Sequence, residues 1–125
     1  MTDSRAVECI TAERLALGSQ SPERTLRVAT YELGMIHRNM IYAEGQTNPD
    51  DAYIYESFAI QETADCILQL FLFYEKIKLG HKVFQSISFE ELLEMGRQKQ
   101  LERMQEIGKK RKNNERITDS TKIFT

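Results

Sequence analysis

Three carboxylates carry the chemical interest of this chain. Glu62 and Asp65 are spaced i, i+3, so a helix puts them on one face, with Gln69 one turn further along it. They lead directly into residues 66–74, where every side chain except Gln69 is apolar or aromatic. Glu32 lies upstream, with Val28, Met35 and Ile36 as its one-turn neighbours. A solvated acidic helix start would explain Glu62 and Asp65 alone. The apolar setting and the third acid favour an inward cluster instead, and unpaired carboxylates are costly to bury. If the two helices pack antiparallel, the three acids face one cavity and repel one another unless a divalent cation neutralises them. Hard oxygen ligands suit Mg²⁺ or Mn²⁺. Such a centre can orient a water and balance charge developing on a phosphoryl group.

The elements that must position these acids read as helices. The 125 residues include only two prolines and six glycines, none interrupting the central segments, and helix-favouring residues are plentiful. A first helix is expected over residues 5–17, stopped by Gly18-Ser19-Gln20. Ser21-Pro22-Glu23 then reads as an N-cap, a proline at N1 and an acid in the first turn. The second helix is expected over residues 22–43, with Leu26, Ala29, Leu33, Ile36 and Met40 as its buried stripe. Gly34 on that helix suggests close approach by another helix or a ligand. Residues 44–51 form a loop, and a long third helix follows over residues 51–79, with a bend or break expected before Gln61. Residues 81–87 connect to Ser88-Phe89-Glu90-Glu91, a capping box opening a fourth helix. Beyond Lys112 the apolar spacing fails.

The expected fold is therefore all-α, an antiparallel four-helix bundle. Residues 1–112 form a single helical domain and residues 113–125 a flexible tail. The run over residues 66–74 is more apolar than one small bundle can hide, so a homodimer or homotetramer built on the third helix is expected.

Other features restrict the function. The net charge of −2 points to no particular partner. Cys9 and Cys66 lack any CxxC or Cys/His pattern and read as reduced core residues. No leader and no span of about 20 apolar residues is apparent, so a soluble, cytoplasmic protein without membrane association is expected. His37 and His81 show no metal-ligand spacing. Tyr53 and Tyr55 could stack on a base, although packing is the commoner use. Lys109-Lys110-Arg111-Lys112 could touch nucleic acid, but a solvated helix end, favoured by the helix dipole, is the simpler reading.

Glu32-Leu33-Gly34-Met35, a spacer, and Glu62-Thr63-Ala64-Asp65 entering an apolar helix together resemble the MazG-type all-α nucleoside triphosphate pyrophosphohydrolases. Their pattern is ExxE, a spacer, then ExxD. The resemblance extends over roughly residues 22–103 and takes in the start of the fourth helix and the basic stretch after it. It implies hydrolysis of an NTP or dNTP between the α- and β-phosphates, giving the monophosphate and pyrophosphate. It further implies Glu32, Glu62 and Asp65 as Mg²⁺ ligands, with Mn²⁺ as a substitute, and Glu62 as the candidate base. The metal would polarise the α-phosphate and lower the pKa of the attacking water. Lys99 and Arg103 become candidates for the phosphate tail, beside the simpler reading of a solvated basic face. The chain departs from the pattern at Met35, where the family carries an acid, and a thioether is a poor ligand for a hard cation. Two alternatives follow: a MazG-like scaffold that binds nucleotide or a partner without turnover, and an oligomeric helical protein using its basic C-terminal segment on nucleic acid.

Overall fold

Side-chain caps start the long helices. In the computed structural model, which describes the backbone of residues 3–123 and side chains up to Asn114, helix α1 spans Ser4–Leu17 and the Asp3 carboxylate accepts from the Arg5 backbone N–H at 2.8 Å. Gly18, with φ of 81°, ends it in a conformation that an L side chain rarely adopts. Helix α2 spans Pro22–Glu44, and Ser21 Oγ accepts from the Arg24 N–H at 3.2 Å. Helix α3 spans Pro49–Lys78 and is capped by Asn48, whose Oδ1 accepts from the Asp50 N–H at 2.9 Å. A four-residue helix α4 covers Lys82–Gln85, and α5 covers Phe89–Ile123. Ser88 Oγ accepts from the Glu91 N–H at 3.1 Å, the bond expected of the capping box.

Several expectations are corrected. The described residues form five helices, because a short one occupies the expected connection over residues 81–87. α3 is continuous for 30 residues, about 45 Å, with no break before Gln61. α5 continues through Ile123, past the Lys112 end read from the sequence. Extending a nucleated helix costs little and requires no apolar stripe. Residues 124–125 of the expected tail lie outside the described residues. A Cβ built on Gly34 would meet nothing within 4 Å among the described residues of the chain.

The chain divides after Ser86 into two compact units. In the first unit α2 and α3 pack as an antiparallel pair. Tyr42 meets Tyr55 near the connecting loop, Cys66 reaches Ala29 at mid-length, and Lys76 reaches Thr25 at the far end. The seam on α2 follows alternate steps of four and three: Thr25, Ala29, Glu32, Ile36, Asn39 and Ala43 are buried or half-buried. On α3 the same rhythm picks out Ala59, Glu62, Cys66, Gln69, Phe73 and Lys76.

This seam replaces the leucine stripe expected on α2. Ala29 and Ile36 do face inward, but Leu26, Leu33 and Met40 remain exposed, Leu33 by 61%. The small Ala29 opposite Cys66 lets the helices approach closely. The apolar residues one position along are turned away from it.

The run over residues 66–74 is covered by its own unit on part of its circumference. Phe71, Leu72 and Tyr74 are buried. The Arg5 guanidinium stands over the Phe71 ring at 5.6 Å, tying the start of α1 to α3. Phe84 of α4 packs edge-on against Tyr74, whose hydroxyl donates to the Phe84 carbonyl oxygen at 3.2 Å. Ile67 and Leu70 stay exposed. In the second unit α5 is exposed from Leu93 through Asn114. No described helix is long and apolar enough to cross a membrane.

Candidate functional site

Both seam helices contribute an acid at mid-length. Glu32 occupies a seam position of α2 between Ala29 and Ile36. Glu62 occupies one of α3 between Ala59 and Cys66, and Asp65 follows it by one turn. With the helices antiparallel, one oxygen from each of Glu32, Glu62 and Asp65 lies within 4.8 Å of the other two. The three expected ligands are brought together.

Their surroundings supply little positive charge. Glu32 is only 9% exposed, and its Oε2 atom has no hydrogen-bond partner. Gln69 Nε2 donates to Asp65 Oδ1 at 3.4 Å, the hydrogen bond one turn along the face. Among the described residues no lysine, arginine or histidine forms an ion pair with any of the three. Two unit charges at this separation repel by about 3–4 kcal/mol at an effective dielectric near 20. Solvent reaching the half-buried Glu62 and Asp65 weakens that repulsion, but Glu32 has little solvent to draw on. A buried acceptor left unsatisfied costs about 1–3 kcal/mol more. A divalent cation among the oxygens turns both costs into attractions. The cluster can hold a metal ion, and its all-oxygen donor set suits a hard one. Three protein ligands would leave coordination positions for water or for substrate oxygens.

The other sequence candidates fall outside this cluster. Met35, one turn from Glu32, is half-buried and adds no charge. His37 is exposed and does not join the three acids. Tyr55 is packed against Tyr42 at 5.4 Å between ring centroids, while Tyr53 is exposed. Cys9 and Cys66 are free thiols, as expected. Lys99 and Arg103 are exposed on α5, in the second unit.

No family model, curated protein or solved structure matches this chain. Its own geometry therefore carries the functional argument.

One feature of that geometry has no counterpart in the sequence reading. Lys76, with a side chain only 7% exposed, donates from Nζ to Glu13 Oε1 at 2.5 Å and to Thr25 Oγ1 at 2.7 Å. This network joins α1, α2 and α3. Beside it opens a cleft of about 420 Å³ walled by Leu17, Val28, Gln20, Arg24 and Gln69. Gln69 faces the cleft and also holds Asp65, so the cleft adjoins the acidic cluster. Two signals in the sequence could have pointed here. Lys76 is a cation set at a seam step of a mostly apolar helix, and Thr25 occupies the matching step of α2.

Proposed function

We propose that this chain is a Mg²⁺-dependent nucleoside triphosphate pyrophosphohydrolase of MazG-like type, with Mn²⁺ as an alternative ion. The observation that carries the reading is the unpartnered, buried Glu32 Oε2 beside the carboxylates of Glu62 and Asp65. Glu32, Glu62 and Asp65 would hold the ion, whose chemistry is to polarise phosphate oxygens and acidify water. Glu62, half-buried at the seam, would accept a proton from the attacking water, and Gln69, which donates to Asp65, would orient it. Incubation of pure protein with each NTP and dNTP plus Mg²⁺ or Mn²⁺ tests the proposal. Pyrophosphate release no greater than that of Glu62→Ala overturns it.

The paired α2 and α3 would form the centre of a helical bundle completed by a second copy of the chain. The exposed Leu26, Leu33 and Met40, recurring every seven residues on α2, support that assembly, as do Ile60 and Ile67 on α3. Light scattering should give a dimer or tetramer for the native chain and a monomer for Leu33→Glu.

Met35 favours a second reading, in which the centre binds nucleotide without turnover. Nucleotide-dependent thermal stabilisation without product would support it, and Met35→Glu should then create activity by adding the missing hard ligand.

A further inference from the structure

We infer that the cleft beside Lys76 is a guanine pocket, so that the nucleotide served by the acidic cluster is a guanine nucleotide. This deepens the nucleotide reading of that cluster and rests on it. The first argument is placement. Val28 lies one turn before Glu32 on α2, and Arg24 lies two turns before it, about 12 Å along the axis. The cleft thus begins one turn from the acids, at Val28 and Gln69, and leads away from them, as a nucleoside does from its α-phosphate. Its volume of about 420 Å³ falls within the range of small-molecule sites.

The second argument is the hydrogen-bonding inventory of the walls. Gln20 Nε2 donates to the carbonyl oxygens of Leu17 and Gly18 at 3.1 and 3.3 Å. Gln69 Nε2 donates to Asp65. These bonds set the orientation of both amides, leaving each Oε1 as an acceptor for a ligand and one Gln69 N–H as a donor. Glu13 gives Oε1 to Lys76, which leaves Oε2 as a third acceptor. Thr25 adds nothing, since its hydroxyl donates to the Ser21 carbonyl oxygen and accepts from Lys76. Arg24 is the one cation on the wall, and it donates only. Leu17 and Val28 provide apolar surface for the faces of a ring.

A ligand complementary to this wall carries several N–H donors together with acceptors for a cation. Guanine does so, with N1–H and the N2 amino group as adjacent donors and O6 and N7 as acceptors. Arginine pairs well with O6 and N7. Adenine and cytosine each offer one amino group beside a ring acceptor, which can meet the Gln69 amide but leaves the other two wall acceptors unpaired. Uracil offers a single N–H.

The test uses the full chain in EDTA, so that no divalent ion contributes, and titrates GMP, AMP, CMP and UMP by calorimetry. GMP should bind at least about tenfold more tightly than the others, equivalent to about 1.4 kcal/mol. Val28→Trp, which fills the cleft from an exposed position, and Arg24→Met should each abolish that preference, with folding checked by circular dichroism. Glu62→Gln should keep it. Equal binding of the four nucleotides, an unchanged preference in Val28→Trp, or loss of the preference in Glu62→Gln overturns the assignment. The two readings fail separately. Selective GMP binding without pyrophosphate release would leave the pocket and remove the hydrolase, while equal hydrolysis of all triphosphates without GMP preference would do the reverse.

Discussion

The thiol of Cys66 stands 3.5 Å from the carbonyl oxygen of Ala29, the closest tie between the two long helices at mid-length. It fixes the register of the acidic cluster, since Glu32 follows Ala29 by three residues while Asp65 and Glu62 precede Cys66 by one and four. Ala29 is buried, so Ala29→Leu must push α2 away from α3. Overpacking of this kind costs about 1–3 kcal/mol, and urea unfolding should show that loss. The same variant should lose most of the thermal stabilisation that Mn²⁺ gives the native chain. A variant that keeps the full Mn²⁺ response would show that the register does not control the centre.

Glu32→Gln separates the cost of the acidic cluster from its use. Without a divalent ion, the substitution removes a buried charge and supplies an amide that can donate to Glu62 or Asp65. The variant should then be more stable than the native chain by about 1 kcal/mol. With Mn²⁺ at a hundred times its dissociation constant the native chain gains about 2.7 kcal/mol, and the order should invert. Calorimetric melting with EDTA and with Mn²⁺ reads both signs. A native chain that remains the less stable of the two in Mn²⁺ would argue against ion binding.

The sequence made the helices and the three acids legible because both leave short-range marks. Ser21-Pro22 and Ser88 through Glu91 announce helix starts through local hydrogen bonds, and each bond is present, whereas the Asn48 cap and Pro49 start of α3 fall inside the stretch read as a loop. Glu62 and Asp65 share a face by spacing alone. The rotation of α2 was less legible. Leu26, Leu33 and Met40 define one stripe and Thr25, Glu32 and Asn39 another, a single residue apart, and periodicity cannot say which one faces a partner helix. The answer lies in a tertiary fact, the close approach at Ala29 and Cys66. Lys76 and Glu13 were hidden for the same reason, because 63 positions separate them and no local pattern pairs them.

The Lys76 network should dominate the attachment of α1. Removing one partner of a buried ion pair leaves the other uncompensated, which costs about 3–5 kcal/mol in fully buried cases. Glu13 keeps some contact with solvent, so Lys76→Met should cost somewhat less, about 2–3 kcal/mol on that scale. Replacing both partners, as in Lys76→Met with Glu13→Leu, should restore most of the loss. Chemical denaturation of the native chain, both single variants and the double variant closes the cycle. A loss in the double variant equal to the sum of the two single losses would mean that the charges are not coupled.

Asp3 gives the first turn of α1 a pH response. Its carboxylate accepts from the Arg5 side chain at 2.8 and 3.1 Å and from the Arg5 backbone N–H, and these bonds pull its pKa from 3.8 down to about 2. The sign follows from the charged form being the favoured one in the folded chain. The capping contribution is complete above the unfolded value near 3.8 and disappears as pH falls through about 2. The Arg5 guanidinium also stands over Phe71, so loosening the cap should loosen that contact as well. NMR titration should place the Asp3 carboxyl midpoint near 2, and the helical Cα shifts of the first α1 turn should fade over the same interval. Asp3→Asn keeps an acceptor for the cap but has no charge to titrate, so its first turn should not follow this curve. A midpoint for Asp3 near 3.8 would mean that the Arg5 bonds do not persist in solution.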